Sequence, residues 1–258
     1  MWIIKKLIYP PACVGCGEIM NIFSPAYNDS DAYCPSCRAE WERAKVSQCA
    51  VCGMANLDCS CVPELLKNEK IVSIVKFGHV QAVDRLVFAL KRSKNKRVFG
   101  FITKELAHRL FLYMREYKKE ISETVITYVP RNPSSVAVYG HDHAKMLARG
   151  VSEILNIGLA SSLKRKRGGA AQKKLTAEER LNNAGGRFVL REGADEKLRG
   201  KTVVLVDDVV TSGATCAACI EHLKKCEPEN IVILSIAKRN ADPKRKNSQS
   251  RVRAERRS

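Results

Sequence analysis

The chain has 258 residues, with 45 Lys+Arg against 27 Asp+Glu and a formal net charge of +18. A composition that is 45% hydrophobic and 28% charged supplies a sizeable core and excludes a wholly disordered chain. No apolar run approaches the ~20 residues that span a bilayer. The start, 2–9, is short, carries Lys5 and Lys6 and lacks a small-residue cleavage site, so it does not read as a signal peptide. The expectation is a cytoplasmic protein with no transmembrane segment, reaching the inner face of the membrane only through partners.

In chain order, the first feature is a run of cysteines. Cys13, Cys16, Cys34, Cys37, Cys49, Cys52, Cys59 and Cys61 form three C-x-x-C pairs and one C-x-C pair, and no further cysteine occurs before Cys216. A C-x-x-C loop puts two thiolates on one side of a metal, and a second loop closes a tetrahedral S4 site of the kind zinc takes. Taken in order, the pairs give Cys13/Cys16 with Cys34/Cys37 and Cys49/Cys52 with Cys59/Cys61. Gly15, Gly17 and Gly53 stand where tight metal knuckles need positive φ or close backbone approach. Disulfides would need an oxidising compartment, and an iron–sulfur centre uses the same four thiolates. The number of structural Zn²⁺ ions, one or two, stays open because C-x-C is a cramped variant. With all ligand positions filled by thiolates, the metal role is structural, and binding would supply the folding energy of a segment poor in apolar residues.

From residue 71 the pattern alternates strand and helix. Strands are predicted over 71–77, 125–129, 202–206 and 230–236, and helices over 81–91, 99–118, 144–155 and 215–225. The apolar β-branched run at 202–206 suits a central parallel strand. This alternation implies right-handed crossovers and an α/β fold, a parallel sheet flanked by helices on both faces. Cys216 and Cys219 fall on the last predicted helix and Cys226 directly after it, and all three read as buried core thiols.

The strand at 202–206 runs directly into Asp207-Asp208-Val209-Val210-Thr211-Ser212-Gly213-Ala214-Thr215. In an open α/β sheet a ligand sits at the carboxyl ends of the strands, where the two carboxylates emerge. Paired carboxylates can accept hydrogen bonds from vicinal hydroxyls such as those of a ribose. Thr211 to Thr215 offers backbone N–H groups, hydroxyls and a helix N-terminus for a monophosphate, with Gly213 allowing close approach. A ribose 5-phosphate fits the stretch end to end.

This string resembles the phosphoribosyl-pyrophosphate (PRPP) signature of type I phosphoribosyltransferases. By that resemblance the PRPP-binding residues are Asp207, Asp208, Val209, Val210, Thr211, Ser212, Gly213, Ala214 and Thr215. The two aspartates would hold the ribose hydroxyls, and Mg²⁺ would accompany the pyrophosphate. Together with the cysteine ribbons, the chain resembles the ComF family of DNA-uptake (competence) proteins over roughly residues 10–238. The implied fold is a small Cys-rich zinc-ribbon module (1–65) ahead of a type I phosphoribosyltransferase-like domain (66–240). A basic tail (241–258), expected to be disordered, would follow. A second block, Gln172-x-x-Leu175-x-x-x-Glu179-Arg180-x-x-Asn183, resembles the family's lid loop, with Gln172, Arg180 and Asn183 as its marker residues. A third, 129–144, is looser. His141, Asp142 and His143 stand where the family has Phe, Asn and Gln, and Ser134, Ser135, Ala137 and Tyr139 stand at positions of family arginines. Without an acidic or cysteine partner nearby in sequence, His141 and His143 read as surface or helix-start histidines rather than metal ligands.

The positive charge gathers at 91–97, at 164–174 and from Lys238 onward, where nine bases against Asp242 and Glu255 give +7 of the +18. A polyanionic partner is the natural inference, a nucleic acid or a phosphorylated metabolite. Three functions follow. The first is a competence factor that handles incoming single-stranded DNA, binds PRPP and meets DNA-uptake machinery such as a competence helicase. The second is an active phosphoribosyltransferase releasing pyrophosphate to an unknown base or amine acceptor. The third is a zinc-ribbon regulator sensing PRPP.

Overall fold

The computed structural model describes residues 7–25, 27–78, 80–166 and 187–239. The marker residues Gln172, Arg180 and Asn183 and the tail 241–258 lie outside these described residues. The cysteine-rich start contains helix α1 (Pro35–Val46), opened by Pro35, with Cys34 at its N-cap position and Cys37 in its first turn. A 3-10 turn (Glu64–Leu66) leads into β1 (Lys70–Lys76), α2 (Gln81–Arg92) and α3 (Lys96–Glu116). After these come β2 (Thr124–Tyr128), α4 (Pro133–Tyr139), α5 (His143–Leu155) and the short β3 (Gly158–Leu159). The rest comprises β4 (Leu163–Arg165), β5 (Phe188–Leu190), α6 (Ala194–Leu198), β6 (Thr202–Val210), α7 (Ala214–Leu223) and β7 (Asn230–Lys238).

The main sheet has the order β1-β7-β6-β2-β3 with every neighbouring pair parallel. The expected α/β architecture is therefore present. Both faces of the sheet are covered, which is why β6 and β7 are apolar at consecutive positions rather than alternately. Val204, Val206, Val232 and Leu234 pack toward α2, α3 and α5, while Val203, Leu205, Ile231 and Ile233 pack toward α7. Cys216, Cys219 and Cys226 are buried on the α7 side, as core thiols should be. Apart from the main sheet, β4 and β5 form an antiparallel pair bracketing residues 167–186.

Several elements differ from expectation, and three of them bear on the site and its support. α1 and α4 form where no helix was expected; Asn132 caps α4 through its side chain, and Gly140 ends it in the left-handed conformation. β6 runs four residues further than the apolar run that suggested it. Asp207 pairs with Ser235, Val209 with Ala237 and Val210 with Lys238, so the ladder of β7 carries the acidic pair inside the strand. Lys238, counted with the basic tail in the sequence, closes that ladder and is only 1% exposed.

The cysteine-rich segment shares its core with the sheet domain. Tyr33, Trp41 and Phe101 of α3 form a cluster of edge-on and tilted rings, and the Tyr33 hydroxyl donates to the carbonyl of Ala82. Glu105 on α3 accepts from Arg38, Trp41 and Lys45 of α1. Arg97 donates to the carbonyl of Asp31 and reaches Met20 Sδ.

Candidate functional site

The sulfurs of Cys13, Cys16, Cys34 and Cys37 lie within 4.8 Å of one another, and so do those of Cys49, Cys52, Cys59 and Cys61. Sequential pairing is therefore the pairing in space. Four sulfurs about 2.3 Å from a tetrahedral zinc would lie ~3.8 Å apart. The Cys16–Cys34 and Cys52–Cys59 sulfur separations are 3.9 and 3.6 Å. Both clusters could hold a zinc ion. The two knuckle glycines Gly17 and Gly53 have φ of +83° and +72°. Gly15 has a different reason: a Cβ there would stand 2.7 Å from Cys37 Sγ.

The surroundings of the second cluster also suit a metal. Lys76 Nζ lies 3.1 Å from Cys59 Sγ, and Lys238 Nζ donates to the Cys59 carbonyl. Both lysines are buried at the carboxyl ends of β1 and β7. Buried ammonium groups need anionic compensation. Zinc held by four thiolates carries two net negative charges and meets that need.

At the same sheet edge, β6 presents the acidic pair. Successive strand residues point to opposite faces, and the partners of the two aspartates follow that rule. Asp207, 9% exposed, faces α7, where Cys216 Sγ is 3.5 Å from its Oδ2. Asp208, 5% exposed, faces α2 and α5; its Oδ2 lies 3.0 Å from Lys91 Nζ and 2.9 Å from His143 Nε2. The two environments drive the carboxyls apart. Burial, reinforced by the neighbouring Asp208 charge, pushes Asp207 up to about 7. Asp208 is desolvated too, but His143 and Lys91 outweigh that penalty and hold it down at about 2. Asp208 is thus an ionised acceptor across the neutral range.

The loop after β6 carries exposed Thr211, Ser212 and Thr215. Gly213 sits in the left-handed region, φ +80°, as N-cap of α7 and offers no capping side chain; Ser212 Oγ lies 3.5 Å from the Ala214 N–H. Leading amides and the positive end of a helix favour an anion. Opposite them, the 129–143 segment is rigidly tied. Arg131 donates to the carbonyls of His141 and Lys91 and lies over the Tyr139 ring, and its backbone N–H donates to Asp142. His141 is buried, with its ring nitrogens 2.8 Å and 3.0 Å from the carbonyls of Tyr139 and Leu90. Neither histidine is a surface residue. His143 does begin a helix, yet its partner is Asp208, which sequence distance concealed.

The basic run at 91–97 separates into roles. Lys91 meets Asp208 and Arg97 braces the cysteine-rich segment, while Arg92, Lys94 and Lys96 stay exposed. Among the described residues, no helix is long and apolar enough to cross a membrane.

The phosphoribosyl transferase domain family matches residues 141–255. Competence protein F of Haemophilus influenzae is 27% identical over 231 residues, covering 88% of this chain and 90% of that one. Among solved structures, the allosteric regulatory enzyme of purine biosynthesis aligns at 17% identity with a TM-score of 0.34, covering 61% of this chain and 27% of its own. A purine phosphoribosyltransferase from Pyrococcus horikoshii aligns at 24% identity with a TM-score of 0.33, covering 54% and 74%.

Proposed function

We propose that this chain is a ComF-type protein and that the edge of the sheet at β6 binds PRPP or a related ribose 5-phosphate. We further propose that the protein handles incoming single-stranded DNA during natural transformation, together with DNA-uptake machinery. One observation carries the ligand: Asp208, held ionised by Lys91 and His143, immediately precedes a loop of exposed hydroxyls and leading helix amides. An ionised carboxylate accepts from ribose hydroxyls, and the amides and hydroxyls of 211–215 receive the 5-phosphate. Asp207, on the opposite face, backs the strand by accepting from the Asp208 backbone N–H. Mg²⁺ bound with PRPP would neutralise part of the pyrophosphate charge. Lys91, partly exposed beside Asp208, is placed to turn toward an entering anion.

Ligand-induced stabilisation tests the pocket. PRPP with Mg²⁺ should raise the melting temperature of the wild-type protein in a concentration-dependent way. No shift at millimolar PRPP would overturn the reading. The DNA role rests on the charge of +18 and the exposed Arg92, Lys94 and Lys96. Affinity for a labelled single strand should fall steeply and linearly on logarithmic axes as salt rises. Binding that ignores salt, or no binding at low salt, would contradict it.

A second reading, an active phosphoribosyltransferase, draws on the same cationic groups, since displacement of pyrophosphate is aided by charge stabilisation. Pyrophosphate release from PRPP in the presence of a panel of bases and amines decides between ligand binding alone and turnover.

A further inference from the structure

The second cysteine cluster and the phosphate loop are joined by a short strap, and the geometry points to a coupling between them. Its starting end is fixed at Cys59, whose carbonyl takes Lys238 and whose sulfur lies 3.1 Å from Lys76. Its other end is the turn Pro63–Leu66. Leu66, 1% exposed, presses on Gly213: a Cβ on Gly213 would stand 2.7 Å from Leu66 Cδ1 and 3.4 Å from Pro63 Cβ. Beyond the turn, Glu69 pairs with Lys224 just past α7 at 2.7 Å. The return path is equally direct. Lys238, which holds Cys59, is the register partner of Val210, and the next residue, Arg239, donates its N–H to the Val210 carbonyl. Val210 and Gly213 bracket Thr211 and Ser212. The loop is therefore gripped from both ends by groups that close on the 49–61 cluster.

We propose that metal bound by Cys49, Cys52, Cys59 and Cys61 sets the conformation of the 211–215 loop and so the affinity for a ribose 5-phosphate ligand. The first cluster makes no such connection among the described residues; the hydrogen bonds around it run to α2 and α3. Residues 59–66 act as a positioning element, touching the loop without touching ligand. The ligand half of this proposal rests on the PRPP-site reading above, whereas its conformational half does not.

The test uses the full-length, zinc-replete protein, Cys52→Ser, which removes the exposed ligand of the second cluster, and Leu66→Ala, which loosens the strap and leaves all eight cysteines in place. Hydrogen exchange of the 211–215 amides is the first readout. Both variants should exchange faster there while the amides of β2 and α5 keep their protection. Unchanged exchange at 211–215 in both variants overturns the coupling whatever the ligand does.

The second readout is calorimetry with ribose 5-phosphate. Each variant should bind about tenfold more weakly, in the usual range of site-to-site coupling. Reciprocity requires that saturating ribose 5-phosphate raise the zinc affinity of the second cluster by the same factor, read by competition with a chromophoric chelator. Wild-type binding that both variants retain in full overturns the coupling but leaves the pocket standing. No binding by wild-type protein overturns the PRPP-site reading and the affinity claim together.

Discussion

The two cysteine clusters have the same donor set and different neighbours. The first lies against α2 and α3, where its loops are held by neutral carbonyl contacts such as Arg85 to the Gly15 carbonyl at 2.7 Å, and by the Tyr33–Trp41–Phe101 rings. The second lies at the carboxyl edge of the sheet, against two buried lysines that end β1 and β7. One cluster is built into an apolar core; the other is charge-matched to the edge where the acidic strand emerges. Spacing determines which sulfurs converge, and the surroundings determine what each metal would hold in place.

The largest break in this comparison should come from the first cluster. Cys37→Ser removes a ligand from a module that shares its core with α3, and a structural zinc site contributes folding energy directly. We expect a loss of roughly 5 kcal/mol or more, seen as insoluble protein or a collapsed denaturation midpoint, whereas Cys52→Ser should leave a folded body. Next, Lys238→Met takes one of the buried cations from the second cluster. Breaking a buried charge pairing costs about 3 kcal/mol, against about 1 kcal/mol for Arg85→Met, which removes a hydrogen bond to a carbonyl. Urea denaturation of the two variants measures the difference; equal losses would mean that the lysines do not balance charge.

The smaller effects concern the acidic pair, and their pH dependence has opposite signs. Asp207 is raised from 3.8 to about 7, so its contribution to stability is present below pH 3.8 and is lost as pH rises through about 7. Asp207→Asn escapes that loss and should be more stable than wild type by ~1–3 kcal/mol above pH 7, the gap closing toward pH 4. Asp208 is lowered to about 2, so its contribution is present above pH 3.8 and is lost as pH falls through about 2. Asp208→Asn should therefore be the less stable protein at neutral pH, by ~1–2 kcal/mol. Melting temperatures from pH 2 to 8 cross both windows and give both signs in one series.

Much of this was legible in the sequence. The cysteine pairing followed from order, the parallel sheet from alternating periodicity, and the acidic strand end from one continuous string. What could not be read was set by contacts across the chain. His143 and Lys91 come to Asp208 from α5 and α2, and nothing near either residue in sequence reveals the meeting. Gly213 invited a ligand-based explanation, approach to a phosphate, but the structure shows a second demand, the Leu66 side chain against it. Lys238 looked like the first base of a tail and is an interior strand residue. Even the acidic pair was only half legible. Two adjacent carboxylates suggest a fork, while strand geometry sends them to opposite faces, Asp207 toward Cys216 and Asp208 toward His143.

The proposed ribose 5-phosphate site consists of Asp208 and the 211–215 loop. Calorimetric titration of PRPP into zinc-replete wild-type protein and into Asp208→Asn, at pH 7.5 with Mg²⁺, tests it most directly. The expected result is one saturable site per chain in the wild type and at least about a tenfold loss of affinity in the variant, the scale of a charge-assisted hydrogen bond. Equal affinity in the two proteins, or no heat of binding in the wild type, would contradict it.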